Sequence, residues 1–127
     1  LFTPVSSIET DPTNTKSEAN LLKDVSDGLE APNSHTVVLE ASVDSVSIPD
    51  VRSYRAQSGL FTPILPPNNL FSIPVKSGST QPARAASDGY WLLLPPLPPG
   101  QHTIHTLTKT SDGWINDTTY LITVRDP

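Results

Sequence analysis

Cysteine is absent from this chain of 127 residues, which removes disulfide frameworks, thiolate zinc sites and cysteine nucleophiles together. Methionine is absent as well, and no apolar run approaches the length of a membrane span. No charged segment leads into an apolar stretch in the manner of a signal peptide; the chain opens on strand-like residues 1–5 without an initiator Met, which reads as a processed or trimmed product. Basic residues are scarce. Eight Lys and Arg face thirteen Asp and Glu, for a net charge of -5, and the few cations form no stripe able to neutralise a phosphate backbone. Nucleic acid is therefore not an expected partner. Charged residues at 17% and hydrophobic residues at 35% are both low for a helical bundle.

What the chain has in quantity is proline, fourteen residues, together with many Ser and Thr. That mixture points to loop-rich β structure. The length fits one domain over residues 1–127, and a domain of that size buries roughly two thirds of its unfolded surface without metal or disulfide help. Few lysines, no Cys and no Met, beside abundant Thr, Ser, Asn and Pro, match an exported protein, so a secreted or cell-surface location is expected.

The clearest signal lies between Ser87 and Val124, where three strands follow one another across Pro and Gly turns. Tyr90, Trp91 and the leucines 92–94 form an apolar run bounded by Asp88-Gly89 and Pro95-Pro96, which predicts a buried central strand with Trp91 in the core. Pro98, Pro99 and Gly100 make a turn. Residues 101–110 are rich in β-branched side chains and predict the next strand. A third runs over about 118–125, with Tyr120, Ile122 and Val124 on the inward face.

Upstream, residues 1–9 read as a strand interrupted at Pro4, and a proline cannot donate to a ladder, so this strand belongs at an edge or carries a bulge. Thr15 with Glu18 has the capping-box spacing, and Leu21, Leu22, Val25 and Leu29 recur near the helical period, which predicts one helix over about 16–27 with a stop at Gly28. Residues 35–43 alternate, with Val37, Leu39, Ala41 and Val43 inward. Short strands are expected at 51–56, 60–65 and 69–73, and a surface loop at 76–87. About seven to eight short strands at this spacing suggest an antiparallel β-sandwich, Ig-like or jelly-roll-like.

The stretch SDGYWLLLPPLPPGQHTIH, taken with the upstream LEASVDSVSIPDVRSYRAQSGLFTPILPPNNLF, resembles a group of uncharacterised secreted proteins, mostly bacterial. In that group a strand of the type LEASVDG precedes a YR strand, an LFT strand and a DGYW…LPPGxHTIH hairpin. The chain departs from the pattern at Asp44, Ser45 and Val46, where VDG is usual. The resemblance implies export and a β-sandwich, and it implies no particular activity.

Candidate chemistry is thin. His102 and His105, with His35, invite a metal reading, but a separation of three residues on a strand sends two side chains to opposite faces. One imidazole should face solvent and the other bond within the sheet; no metal or other cofactor is expected. Asp44, Asp50, Asp88, Asp112 and Asp117 lack the D-x-D-x-D-G spacing of a calcium loop. No G-x-S-x-G elbow exists, and Asp112-Gly113 reads as a tight turn rather than half of a carboxylate pair, so catalysis is not expected.

Contact residues are better represented. Trp114 follows a polar turn and should be partly exposed, a platform for a sugar ring or a protein partner, with Asp112 and Asn116 beside it. Asn116, Asp117 and Thr118 form an N-glycosylation sequon. At the other end Leu1, Phe2, Val5 and Ile8 mark an edge open to strand exchange between copies. The expectation is a non-enzymatic extracellular β-sandwich that works through surface contacts, as a cell-surface, matrix or filament subunit associating with copies of itself. A polysaccharide-binding module is the alternative, and a hydrolase with an unrecognised site the third reading.

Overall fold

The computed structural model describes residues 1–11, 15–31, 33–64, 66, 68 and 84–126. Among these residues the strands are β1 (Ser6–Asp11), β2 (Thr36–Val43), β3 (Val46–Ser47), β4 (Arg55–Gln57), β5 (Arg84–Tyr90), β6 (Gly100–Thr110) and β7 (Ile115–Val124), with one α-helix, α1 (Glu18–Leu29). They form a three-stranded antiparallel sheet of order β1-β5-β4 and a four-stranded one of order β3-β2-β6-β7. The mainly β, two-sheet expectation holds. Among the described residues no helix is long and apolar enough to cross a membrane.

Helix α1 buries Leu21, Val25 and Leu29, four residues apart on one face, as the periodicity predicts. Its start falls two residues later than the spacing suggests, because the Asp11 carboxylate accepts from the amides of Thr15 (3.2 Å) and Lys16 (2.9 Å) and holds them outside the helix. Ser17 then caps it, its hydroxyl oxygen accepting from the Asn20 amide at 3.2 Å. Gly28 does not stop the helix. It lets the helix lie on β1, since a Cβ there would come 2.6 Å from Ser7 Oγ.

The even residues of β5 share the face on which this helix and its flanking residues lie. Arg84 bonds Asp11 (2.9 Å) and the Lys16 carbonyl, Ala86 packs on Leu21 and Val25, Asp88 meets Arg55, and the Tyr90 hydroxyl donates to Glu30 at 2.7 Å. The central strand is thus built from Ala85, Ala86 and Gly89 rather than from the leucine run. Small residues are required there: a Cβ on Gly89 would stand 2.7 Å from Ser6 Cβ, its neighbour across the ladder. Residues 84–87, expected in a surface loop, belong to this strand, while 76–83 lie outside the described residues.

The apolar run after Tyr90 leaves the sheet. Leu92 pairs with Phe2 and is buried, but Leu93 is exposed, and Trp91 is half-buried with its indole N–H donating to the Ala56 carbonyl at 3.0 Å. Trp91 is therefore not a core residue. Between the Phe2–Leu92 and Val5–Tyr90 pairs, Thr3 and Pro4 oppose Trp91 alone, so the strand at an edge also carries the bulge that Pro4 requires.

Leu92 and Phe2 then meet Ala41, Val51, Leu39 and Ile48, which joins the two sheets. The buried Pro4 adds a polar tie, its carbonyl accepting from the Thr108 hydroxyl and the Asn116 amide of the larger sheet.

Three further expectations change. Val37 points outward because the β2–β6 register shifts between Thr36 and Val38. Residues 51–54 form a 3-10 helix, closed by the Ser53 amide and hydroxyl on the Asp50 carbonyl, and only Arg55–Gln57 is strand. Within 60–65 only Phe61 pairs, with Ala85, Leu65 lying outside the described residues together with 69–73.

Candidate functional site

The outer edge of β7 is the most open hydrogen-bonding surface of the larger sheet. Thr110 N donates to Trp114 O at 3.0 Å, which sets the phase of the β6–β7 ladder: even residues of β7 bond inward to β6. The amides and carbonyls of Ile115, Asp117, Thr119, Leu121 and Thr123 consequently face away from the sheet, and no strand among the described residues pairs with them. Ile115, Tyr120 and Leu121 are exposed, Leu121 at 83%. Asp117 is the only charged side chain on the strand, held by His105 Nε2 at 2.8 Å. Edges of this length usually carry several charges or a proline as protection against pairing.

Beside the edge runs an open apolar groove of about 660 Å³ over the inner face of β6 and β7, walled by Leu1, Phe2, Leu94 and Leu97 and floored by Ile104 and Ile122. The β strands place the floor by alternation, as His102, Ile104, Thr106 and Thr108 all turn inward. One wall is secured by His102. This buried imidazole meets Asp44 Oδ2 at 2.7 Å through Nδ1 and the Pro98 carbonyl at 2.8 Å through Nε2, so both ring nitrogens face acceptors and both must donate. The Asp44 carboxylate also accepts from the Thr103 amide at 2.8 Å. Asp44 and Ser45 sit at φ 50° and 66°, the two-residue hairpin turn between β2 and β3 that needs positive φ at both positions.

Bonding to Asp44, and secondarily to the Pro98 carbonyl, raises the His102 pKa above its ordinary 6.5; the same imidazole, then the Thr103 amide, lowers that of Asp44 below its ordinary 3.8. The stabilisation from His102 is complete below about pH 6.5 and disappears as pH rises through the raised value. That from Asp44 is present above about pH 3.8 and disappears as pH falls through the lowered one. The pair is fully effective between these limits. Urea midpoints should therefore show His102→Gln costing more stability at pH 5 than at pH 9; an equal cost at both would mean that the imidazole is held without its charge.

The hairpin contact residues are adjacent but differently engaged. Trp114 is 50% exposed at the tip. Asp112 organises the turn, its Oδ1 accepting from the Thr110 hydroxyl and the Trp114 amide and its Oδ2 from the Ser34 hydroxyl at 2.8 Å, while Gly113 takes φ 95°. The side-chain nitrogen of Asn116, where a glycan would attach, faces the Pro4 carbonyl at 3.4 Å, and its Oδ1 accepts from Thr118. Asp112 thus meets Trp114 at its backbone amide, Asn116 turns to Pro4, and the indole ring is left half exposed at the tip.

At the other edge, Phe2 and Val5 already pair with Leu92 and Tyr90, and Leu1 lies on the groove. Of the four residues expected there, Ile8 alone lies on the outward side of β1, beside Ser6 and Thr10.

His102 and His105 occupy opposite faces, as their spacing dictates, and His35 bonds Ser111 instead. Among the described residues no three His, Asp or Glu side chains converge on a metal position. Ser111 reaches His35 Nδ1 at 3.2 Å, but Asp112 bonds Ser34 and not that imidazole, so these residues do not form a Ser-His-Asp chain. The Asp44–His102 pair and the groove escape sequence reasoning; the one available signal for the pair was the inward parity of His102. No family model matches the chain, and no curated protein and no solved structure matches it.

Proposed function

We propose that this protein is a non-enzymatic, extracellular structural subunit that works through contacts at its sheet edges, with copies of itself as partner. The observation that carries the reading is the outer edge of β7, a ten-residue strand with a single charge and with exposed Ile115, Tyr120 and Leu121. An edge so little defended costs a protein solubility unless something pairs with it. The exported composition is the support for an extracellular location. Polysaccharide recognition through Trp114 is the second reading, supported by that residue's exposure on the same hairpin.

Light scattering over a concentration series tests the first reading. The mass should rise with concentration for the natural sequence and stay monomeric for Thr119→Pro, which removes an outward amide and leaves the ladder to β6 intact. A natural sequence that remains monomeric throughout, and that binds polysaccharide in a manner lost with Trp114→Ala, would transfer the conclusion to the second reading.

A further inference from the structure

After Ile115, the outward positions of β7 and the residue that follows the strand read Asp117, Thr119, Leu121, Thr123, Arg125, a stretch symmetric about Leu121 except that an acid stands at one end and a base at the other. From this symmetry we infer that two copies of the chain pair β7 against β7, antiparallel, around a two-fold axis through Leu121, so that their four-stranded sheets become one continuous sheet. The inference rests on the reading of the β7 edge as the contact surface and adds its partner, symmetry and register.

A two-fold axis places the same patch of each copy against the other, so a strand fit for such pairing must be complementary to itself. With Leu121 on the axis, Asp117 faces the partner's Arg125 at both ends, Thr119 faces the partner's Thr123, and Leu121 faces the partner's Leu121. On the inner face Tyr120 stands beside the partner's Ile122. Opposite charges, paired threonines, and an aromatic ring against a β-branched chain are the combinations that stabilise neighbouring strands. Arg125 is exposed and has no ion pair among the described residues, while Asp117 keeps its His105 contact on the side away from the edge.

Neighbouring registers lack this match. An axis at Thr119 sets Asp117 against the partner's Leu121, one at Tyr120 sets it against the partner's Thr123, and one at Asp117 brings two carboxylates together. Like those registers, the Leu121 register joins outward backbone groups to outward ones, and it covers Leu121 and Tyr120, which are 83% and 45% exposed in the single chain. Tyr120 and Ile122 line the apolar groove, so the grooves of the two copies would meet at the axis.

Because the chain has no cysteine, one introduced thiol reports on one position. Residues directly opposite in a hydrogen-bonded antiparallel pair lie about 5.5 Å apart at Cα, within disulfide reach. Under copper-phenanthroline oxidation, Leu121→Cys should convert to a covalent dimer. Thr119→Cys alone should not, since its two copies would lie about 13 Å apart along the strands, whereas mixing Thr119→Cys with Thr123→Cys should give the mixed dimer. Asp117→Arg and Arg125→Asp should each weaken association about tenfold or more, and the double variant should restore it. Cross-linking by Thr119→Cys and not by Leu121→Cys would overturn the register while leaving β7 as the contact edge. A dimer in solution that none of these thiols captures would overturn both the register and the β7 reading, and a protein monomeric at all concentrations would remove the self-association on which they stand.

Discussion

Arg55→Met is expected to lower the unfolding free energy by about 3–5 kcal/mol, the usual cost of leaving a buried charge without its partner. Asp88 is 2% exposed and receives two bonds from one guanidinium, Nε at 3.1 Å and an Nη at 2.7 Å, and that same Nη reaches Ser26 on α1 at 2.8 Å. One side chain therefore ties β4, β5 and the helix together, in the two-pronged geometry that arginine supplies and lysine does not. Removing the guanidinium leaves a carboxylate in the interior of a three-stranded sheet. The diagnostic comparison is with the double variant Arg55→Met/Asp88→Val: replacing both ends by apolar groups should recover much of the loss, because the large cost belongs to the orphaned carboxylate and not to the absent attraction. Urea unfolding gives both numbers. A double variant as unstable as the single one would show that the ion pair itself, or the Ser26 tie, carries the stability.

The two sheets were legible where residue type and alternation agree. Strands β6 and β7, the turn at Gly100, the opposite facing of His102 and His105, and the buried face of α1 all follow from period and punctuation. Strand β5 was not legible, because its interior positions are Ala85, Ala86 and Gly89, chosen for the closeness of α1 and β1 and not for hydrophobicity. Local pattern reads how apolar a residue is; it does not read how near the neighbouring backbone comes. The same limit shifted the helix start by two residues, since Asp11, distant in role if not in sequence, claims the amides of Thr15 and Lys16.

The candidate site divides along the same line. The sequence predicts an edge at the first strand, where Pro4 interrupts it, and β1 is terminal in its sheet. Yet the longer open edge is β7, and nothing in its composition separates an end strand from a central one, because sheet order depends on contacts remote in sequence. Once β7 is known to be terminal and the phase of its ladder is known, the alternation of Asp117, Thr119, Leu121, Thr123 and Arg125 becomes an interface pattern. Without those two facts it is an ordinary half-exposed strand.

Leu21→Ala should cost about 3 kcal/mol, toward the middle of the range for deleting a fully buried leucine side chain. Leu21 has no exposed surface and packs with Val25 on Ala86, so the facing residue on β5 is too small to move into the space vacated. The half-buried Leu22, on the flank of the same cluster, should lose only about 1 kcal/mol on the same change, since it surrenders less apolar area. Both are read from shifts in the urea midpoint at constant slope. The comparison also separates stability from function. The helix packs on β1 and β5, in the sheet that does not contain β7, so Leu21→Ala should leave self-association unchanged under conditions where the variant is fully folded. Leu121→Lys should do the opposite, abolishing association with an unfolding midpoint close to that of the natural chain, because an 83% exposed side chain contributes little to the fold of a single copy. If both variants lost association in proportion to their stability, contact between copies would depend on the integrity of the whole sandwich and not on one edge.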